Sequence, residues 1–412
     1  MKKYALILAL CGVAAFAGCR NGSKTPPPNG EDGGELDVIV VSAEDMPAAF
    51  PDPIFREYIL ENFDADKDGA LSKKEIENVH KIYLYNFDNH EDESTHVKSL
   101  EGIQYFTELI SLTFGYNSVS TIDLSGNTQL TQLYCDNNLL TELDLSANVL
   151  LDTLFCDGNQ LSALVLDNNL LLELVGCERN PLTELNLGNN TELASLSCAD
   201  LKITNLDVSK NEKLNFLFIN NNDIAELDLS HNTLLEYLFI DNTKITSIDL
   251  SGNPNLQTFS CSYNEMTSLN VSNNPLLESL YCDGNQIATL DVSNNTLLMN
   301  LYCNDNKLTE LNVDSNTELV DLGCARNKLT TLSLEHNTAL ECLDCSENLL
   351  ETLDVSKTNM GNPESGYYYP LTCCFMDTLK TLYIKRGWTL NGITEDRSTG
   401  FIPETTNIVE VD

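Results

Sequence analysis

Acidic side chains recur at every second position of one short segment of this 412-residue chain. Between positions 64 and 75 the sequence reads DADKDGALSKKE. Oxygen atoms at alternate positions can surround one hard divalent cation, and Ca2+ takes about six to eight of them. Gly69 would permit the sharp turn that brings these atoms together. The segment therefore predicts a calcium site with the following ligands: Asp64, Asp66, Asp68, the carbonyl of Ala70, Ser72 and Glu75.

The same twelve residues resemble the EF-hand calcium loop at each diagnostic position, and the resemblance ends with this segment. Asp52-Pro53 upstream predicts a helix N-cap followed by proline at the first helical position. Five apolar residues then share one helical face: Ile54, Phe55, Tyr58, Ile59 and Phe63. Because sensor EF-hands work in pairs, a single loop favours a structural ion over a switch. The alternative is a helix pair that caps the next domain around a vestigial loop.

The start of the chain has the pattern of an export signal. Two lysines precede an apolar run from Tyr4 to Ala17, which is too short to span a bilayer. The run ends in FAGC, which resembles the bacterial lipobox, with Phe16 standing where leucine is usual. The resemblance implies that cleavage before Cys19 is coupled to acylation of this cysteine, so that a lipid anchor would provide the only membrane contact. We expect a cell-envelope location, at the outer membrane or cell surface. A plainly secreted form is the alternative.

Composition narrows the class of partner. The chain has 62 acidic against 23 basic residues, a formal charge of −39. Nucleic-acid binders need a basic face, so this balance argues against a nucleic-acid partner. The hydrophobic fraction of 42% is too high for a disordered acidic chain. We therefore expect a folded protein whose ligand is not a polyanion.

Leucine recurs every 21 residues without an insertion, at positions 109, 130, 151, 172, 193, 214, 235, 256, 277, 298, 319 and 340. Each unit reads L-x-x-L-x-C-x-x-N-x-L-x-x-L-x-L-x-x-N-x-x and contains two similar halves. Each half resembles the leucine-rich-repeat signature. The chain thus resembles bacterial leucine-rich-repeat proteins of the nested type, including internalins and adhesins, with a degenerate lead-in at Val79, Ile82 and Leu84.

The resemblance implies a leucine-rich-repeat solenoid, mostly β with two parallel sheets, because each half should form a short strand with its apolar pair inward. A small helical EF-hand-like cap would precede it. The predicted domains are a signal peptide over 1–18, a Pro/Gly-rich tether over 19–45, the cap and lead-in repeat over 46–108, twelve repeats over 109–360 and a C-terminal cap over 361–412.

Three polar or sulfur-bearing columns recur through the repeats. Asparagine of the first half, as in Asn138, predicts a buried amide ladder, with Leu201 and Thr243 as exceptions. Nine cysteines share the inward strand column, and we expect reduced, buried thiols because in-register neighbours lie too far apart to bridge. Cys342, Cys373 and Cys374 lie outside that column and are the candidates for a bridge. Aspartates such as Asp144 are expected to accept bonds from nearby Ser or backbone donors.

One outward column carries aromatic residues instead of a monotonous repeat. It predicts a binding face formed by Tyr134, Phe155, Phe216, Phe218, Tyr237, Phe239, Tyr281 and Tyr302. Clustered aromatics on a sheet mark contact surfaces, although stacked rings can also simply shield the strands. The sequence contains no catalytic constellation. We expect a monomeric binding protein, adhesin-like, with a protein or glycan ligand. A carbohydrate-capture accessory protein and a structural spacer are the alternatives.

Overall fold

The computed structural model describes residues 38–360, 371–388, 402–403 and 405–411. The predicted signal peptide, Cys19 and most of the tether lie outside the described residues. Residues 39–412 form one unit, to which all the following elements belong.

Short elements make up the N-terminal cap. They are β1 (Ile39–Val41), α1 (Met46–Ala49), α2 (Pro53–Phe63), β2 (Leu71–Ser72) and α3 (Lys73–Glu77). Strand β1 pairs antiparallel with β2, so the short strand inside the acidic loop has a partner from outside the loop. None of the helices in the described part of the chain is long and apolar enough to cross a membrane.

Asp52 fastens α2 to the segment that leads into the repeats. Its Oδ1 accepts hydrogen bonds from the N–H groups of Ile54 and Phe55, at 2.9 and 3.0 Å, which confirms the predicted N-cap. Its Oδ2 accepts from Lys98 and Ser99 at 2.8 and 3.2 Å. The helix therefore turns its apolar face, with Phe55 and Ile59 fully buried, against the start of the solenoid.

A strand begins every 21 residues from β4 to β15, and β3 precedes β4 by 30 residues. The strands are β3 (Lys81–Tyr83), β4 (Ser111–Thr113), β5 (Gln132–Tyr134), β6 (Thr153–Phe155), β7 (Leu174–Gly176), β8 (Ser195–Ser197), β9 (Phe216–Phe218), β10 (Tyr237–Phe239), β11 (Thr258–Ser260), β12 (Ser279–Tyr281), β13 (Asn300–Tyr302), β14 (Asp321–Gly323) and β15 (Cys342–Asp344). With β17 (Leu371–Thr372) they form one 14-stranded parallel sheet in chain order. Equivalent residues pair across neighbours, as Leu133 does with Leu154. The predicted parallel solenoid is confirmed, and β3 takes the place of the predicted lead-in repeat.

The core is a set of apolar columns inside the coils. In one coil Leu130, Leu133, Cys135 and Leu140 are completely buried, and each has an equivalent one coil later. Removing such a side chain from water contributes about 1.5–3 kcal/mol. A single coil leaves half of this surface open, so the contribution depends on stacking.

Asparagine supplies hydrogen bonds that the coils need at their turns. Asn159 Nδ2 donates to the carbonyls of Cys135 and Cys156 at 3.0 Å, and its Oδ1 accepts from Leu140 N–H at 3.0 Å. The pattern recurs from Asn117 to Asn348 except where Leu201 and Thr243 replace the asparagine, and Asn222 Oδ1, one coil after Leu201, has no partner. The predicted amide ladder, with its two exceptions, is confirmed. A second ladder runs through the other half of the coils, where Asn169 Nδ2 donates to Leu145 O and Asn148 O at 3.1 and 2.9 Å.

The second sheet differs from the prediction. The second half of each repeat keeps its apolar pair inward, as Leu143 and Leu145 show, but it is not a strand. The Ser146 N–H donates to Asp144 Oδ1 at 2.9 Å, so that a turn ends this segment. A second parallel sheet forms only near the C-terminus, from β16 (Thr352–Asp354), β18 (Thr381–Lys385) and β19 (Asn407–Val411).

The aspartate column acts as predicted. Each aspartate or asparagine of the column accepts the N–H two residues later, at 2.9–3.1 Å, as in Asp123, Asp144, Asn186, Asp207, Asp228, Asp249, Asn270, Asp291, Asn312 and Asp354. These turns are Asx turns. The serine donors lower the pKa of aspartates such as Asp144 and Asp228.

The cysteine column is longer than predicted. All twelve cysteines among the described residues are free thiols, and nine occupy the predicted inward column. The expectation that Cys373 lies outside it is wrong. Strand β17 pairs with β15, placing Leu371 beside Leu343, so Cys373 follows in register with Cys345 and is buried. The spacing of 28 residues here, instead of 21, concealed this alignment.

Candidate functional site

The outer face of the 14-stranded sheet carries the predicted aromatic residues. We define the outer sheet face as the first and third residues of strands β4 to β15 and the residue two positions after each strand. Three ring pairs occupy its third-residue column: Tyr134 with Phe155, Phe218 with Phe239, and Tyr281 with Tyr302. Eight coils separate the first ring from the last, about 38 Å at about 4.8 Å per strand. Such a length suits a protein ligand.

The two outer ring pairs are stacked. Tyr134 and Phe155 lie 5.6 Å apart between ring centroids, with an interplanar angle of 6°. Tyr281 and Tyr302 lie 5.4 Å apart at 16°. The Tyr302 hydroxyl also donates to Asp321 Oδ2 at 2.5 Å, which fixes the ring. All four rings are partly exposed, so each stack offers surface to a ligand.

The central rings pack together more closely than predicted. Phe239 packs against Phe218 at 5.6 Å and against Phe216 at 5.9 Å, and Tyr237 adds a further contact with Phe216 at 6.2 Å. Phe239 is only 1% exposed and Phe216 only 9%. The expectation that all eight rings lie at the surface is wrong for these two, because neighbouring strands bring large rings close enough to cover one another.

Two glycines make room for rings of the preceding coil. A Cβ at Gly176 would lie 2.6 Å from Phe155 Cδ1, and one at Gly323 would lie 2.8 Å from Tyr302 Cδ1. Each glycine follows a ring pair by one coil. These rings therefore lie flat across the next strand and keep one face towards solvent.

Carboxylates line the edge of the sheet just after the strands. Asp136, Asp157 and Glu178 occupy this edge on three successive coils beside the first ring pair. Burial, together with the nearby Glu178 carboxylate, raises the pKa of Asp157 to about 7. Burial also raises the pKa of Asp136 and of Glu178. Glu178 accepts a short hydrogen bond from Ser197.

The same edge is acidic beside the third ring pair. Asp283 Oδ1 accepts from Asn304 N at 2.7 Å and from Asn304 Nδ2 at 2.8 Å. Burial raises the pKa of Asp283 to about 6. Between the two acidic clusters, Asp241 accepts from Ser260 Oγ at 2.5 Å and from Ser262 N at 2.7 Å. The face therefore combines rings with carboxylates along most of its length.

Sequence reasoning missed an aromatic cluster at the N-terminal end of the sheet. The Tyr116 ring meets those of Tyr85, Phe87 and His90 edge-on at 5.0–5.6 Å. Tyr116 has a φ of 57°, a rare value for a bulky residue. Tyr85, Phe87 and His90 precede the regular repeats and Tyr116 lies in the first of them, so only their aromatic type could have indicated the cluster. Tyr263, seven coils after Tyr116 and separate from this cluster, is 65% exposed, also has a positive φ and lies over Gly284.

The acidic loop brings together half of its predicted ligands. Side-chain oxygens of Asp64, Asp66 and Asp68 lie within 4.8 Å of one another. The loop has the predicted sharp turn, with φ of 80° at Gly69, whose N–H donates to Asp64 Oδ2 at 2.9 Å. The Asp68 N–H lowers the pKa of Asp66, but burial and the carboxylates of Asp68, Glu75 and Asp64 raise it by more.

The other predicted ligands are arranged differently. Glu75 Oε1 accepts from Ala65 N–H at 2.7 Å, and its Oε2 accepts from Ser72 N–H and Oγ at 2.9 Å. Ser72 and Glu75 thus form a capping box that starts α3. Glu75 does not belong to the group of three carboxylates. The N–H of Ala70 donates to Asp68 Oδ1 at 2.7 Å.

One long parallel sheet on one side of the coils, with equivalent residues in register and a ladder of buried asparagines, defines a leucine-rich-repeat solenoid. The functional domain of InlJ from Listeria monocytogenes, which includes a cysteine ladder, has a similar structure. It is 30% identical, with a TM-score of 0.62, over 85% of this chain and 83% of that chain. The chain belongs to the internalin-type leucine-rich-repeat proteins.

Two further solved structures share the fold. An internalin, InlF from L. monocytogenes, is 22% identical, covers 92% of this chain and 98% of its own, and has a TM-score of 0.61. The ectodomain of the plant receptor kinase GASSHO1/SCHENGEN3 from Arabidopsis thaliana, in complex with CASPARIAN STRIP INTEGRITY FACTOR 2, is 18% identical over 69% of this chain and 40% of its own, with a TM-score of 0.55. No protein-family model and no curated protein matches the chain.

Proposed function

We propose that this chain is an adhesin-like recognition protein that binds another protein on its outer sheet face. The observation that carries the proposal is the arrangement of three ring pairs along one regular ladder, with carboxylates beside them. An apolar centre of packed rings with a polar rim is the usual anatomy of protein interfaces. A rigid ladder also holds the rings without further ordering on binding. Membership of the internalin type supports recognition as the role, and binding rather than catalysis.

The rings provide the test. Phe155→Ala and Tyr281→Ala together remove one partly exposed ring from each outer pair. Wild type and variant would be screened on arrays of proteins and glycans, after circular dichroism and the melting temperature establish that both fold. We expect protein ligands of the wild type to be lost by the variant.

A matched control removes apolar surface elsewhere. Val165 and Leu170 are 67% and 52% exposed on the opposite half of the coil, and Val165→Ala with Leu170→Ala should leave binding unchanged. Ligands retained by the ring variant would contradict the proposal. Glycan ligands alone would favour the carbohydrate-capture alternative, and a wild type without any ligand would favour a structural spacer.

We further propose that the acidic loop holds a structural Ca2+. All of its candidate donors are oxygen atoms, as a hard cation requires, and three carboxylates already converge. Bound Ca2+ would supply positive charge among these carboxylates, which otherwise repel. Asp64, Asp66 and Asp68 would be ligands, while Glu75 would join them only by exchanging its hydrogen bonds to Ala65 and Ser72.

Calorimetry with CaCl2 on chelator-treated protein tests the calcium site. We expect binding at about 10⁻⁴–10⁻³ M, typical of extracellular modules, and a higher melting temperature. Asp68→Asn preserves an Oδ1 acceptor for Ala70 N–H but removes the charge, so it should abolish both effects. Asp88→Asn, in another acidic loop, is the control. A wild type that gives neither heat nor a melting shift would refute the site.

The proposed location is the cell envelope, through a lipid on Cys19. Expression of the full chain with a radiolabelled fatty acid would label the wild type but not Cys19→Ser, which should also leave the membrane fraction. Equal labelling of the two proteins would rule out the anchor.

A further inference from the structure

The distribution of charge on the outer sheet face restricts the chemistry of its partner. None of strands β4 to β15 contains a lysine or arginine. Carboxylates occur on both sides of the strands. They follow the strands at Asp136, Asp157, Glu178, Asp241 and Asp283, and they directly precede the strands at Asp152, Glu173, Glu236, Glu278 and Glu341. The rings therefore lie between two acidic borders.

The arginines next to this face already have partners. Arg326 pairs with Asp305 at 2.5 Å and lies 3.7 Å from Glu347. Arg179 lies 3.3 Å from Glu178. Both arginines take part in local ion pairs, and Arg179 also lies near enough to Asp157 to lower the pKa of its carboxyl group slightly against the raising effect of burial. In the described repeats the next basic residues are lysines five positions after a strand, at Lys202, Lys244, Lys307 and Lys328. A cation from a partner would complete the charge balance of the edge.

Two places on the face combine a flat ring with a desolvated carboxylate. At the first, Phe155 lies over Gly176, and Asp157 Oδ2 lies close enough to that glycine that a Cβ there would be 2.9 Å from it. At the second, Tyr302 lies over Gly323, where the nearest polar atoms belong to Asn304. Asn304 Nδ2 donates to Asp283 Oδ1 at 2.8 Å and so links this place to the carboxylate of the preceding coil. At the first place Asp157 lies between the carboxylates of Asp136 and Glu178 on successive coils, and an incoming positive charge would relieve their repulsion.

Arginine fits both parts of such a site better than lysine. Its planar guanidinium can stack on an aromatic face and can pair with a carboxylate through its fork of N–H donors. Asp157 and Asp283 are six repeats apart, so the two places are separated by about 29 Å at about 4.8 Å per strand. An extended segment spans that distance with about nine residues at about 3.3 Å each.

We propose that the protein ligand presents arginine side chains to these two places, one beside Phe155 and Asp157 and one beside Tyr302 and Asp283. This inference rests on the proposed function, because it names the partner chemistry of the same face. A sugar would also stack on a flat ring, but it would not compensate the charge of the two acidic borders. A basic protein segment is therefore the occupant that the face favours.

Fluorescence anisotropy with synthetic peptides tests the proposal. The probe is a fluorescein-labelled Gly/Ser peptide with two arginines about nine residues apart. Its control is the same peptide with citrulline, which keeps the shape of arginine and lacks the charge. We expect the arginine peptide to bind at least about tenfold more tightly than the citrulline peptide, and binding to weaken with salt.

Charge-removing variants locate the site. Asp157→Asn with Asp283→Asn should weaken the arginine peptide by about tenfold. Glu142→Gln with Glu184→Gln removes two exposed carboxylates from the other half of the coils and should change affinity by less than about twofold. Equal affinity for the two peptides would overturn the proposal, as would an equal loss in both double variants.

The proposed function and the partner chemistry can fail separately. If array proteins depend on the rings but the arginine peptide neither binds nor competes with them, the arginine sites are wrong and the recognition face stands. If neither array proteins nor peptides depend on the rings, both are wrong. Array ligands that are glycans, undisplaced by the arginine peptide, would also overturn the arginine sites.

Discussion

The ring of Phe155 lies over Gly176, in a position where a Cβ on that glycine would be 2.6 Å from Phe155 Cδ1. The relationship makes the glycine a determinant of ring orientation. Gly176→Ala should therefore displace the ring and lower the free energy of unfolding by about 1–3 kcal/mol, as overpacking does. Urea unfolding measures this change. Gly252→Ala is the control, because its Cβ would approach no atom closer than 3.6 Å, and it should be neutral or slightly stabilising. Equal effects of the two substitutions would contradict the steric argument.

Two adjacent asparagines allow the hydrogen bonds of the buried ladder to be compared with a hydrogen bond at the surface. Asn169 is 1% exposed and donates to two carbonyls of the preceding coil, whereas Asn168 is exposed and makes one long bond of 3.4 Å to Ser146 O. Asn169→Ala leaves two buried carbonyls without this donor and should cost about 2–4 kcal/mol. Asn168→Ala should cost less than about 0.5 kcal/mol. Chemical unfolding of both variants measures the difference, and similar losses would show that the inner ladder is not special.

Stability should pass through a maximum in mildly acidic solution. Serine donors lower the pKa of Asp144 and its equivalents below the ordinary 3.8, so their contribution is present above that pH and is lost as the pH falls through the lowered value. Burial raises the pKa of Asp157 to about 7 and that of Asp283 to about 6, so their protonated forms favour folding and this benefit is lost as the pH rises through those values. The melting temperature should therefore be highest near about pH 4 and should fall between about pH 4 and pH 7.

Single substitutions identify which aspartates cause the loss of stability on each side of this maximum. Asp157→Asn removes one group whose pKa is raised on folding and should reduce the loss of stability between about pH 4 and pH 7. Asp144→Asn keeps the Oδ1 acceptor but cannot titrate, and should act on the acid limb alone. A melting temperature that rises steadily from pH 5 to pH 8 would be inconsistent with the buried carboxylates.

Alkylation should distinguish the cysteines by their position in the coils. Thiols of the inward column, such as Cys156, are completely buried, and burial raises their pKa far above the ordinary value. Burial also raises the pKa of Cys342 and of Cys373 to about 12. Cys374 is partly exposed. Among the described cysteines, a maleimide should label Cys374 first in the native protein, and peptide mass spectrometry would read this. Equal labelling of Cys156 without denaturant would contradict the burial of the column.

The structural role of each repeat position was predictable because every column of equivalent residues meets one physical requirement. Leucine at one position must enter the core and asparagine at another must satisfy turn carbonyls, so the period of 21 residues specified coil length and strand register. The Asx turns at Asp144 and its equivalents were also readable from the local Asp-x-Ser pattern. The absence of strand pairing in most second-half segments was not readable, because Asp354 makes the same turn with Ser356 and still ends a paired strand.

Features that depend on the next coil were harder to predict. Phe239 is buried because Phe218 and Phe216 lean on it, whereas Phe155 keeps an open face because Gly176 follows it. The sequence predicts that both rings point outward. Whether a ring is then covered or exposed depends on the side chains that neighbouring coils place beside it. The C-terminal Cys373 was missed for a related reason, since a longer coil shifts it away from the regular count.

The uniform coil length has a consequence for how this protein can change over generations. A recombination event between two similar repeats would delete or duplicate whole coils while preserving the hydrogen bonds between neighbouring coils. Such an event between the ring pairs would alter their separation in steps of about 4.8 Å. The spacing of the ring pairs could thereby change across generations while the fold stays the same.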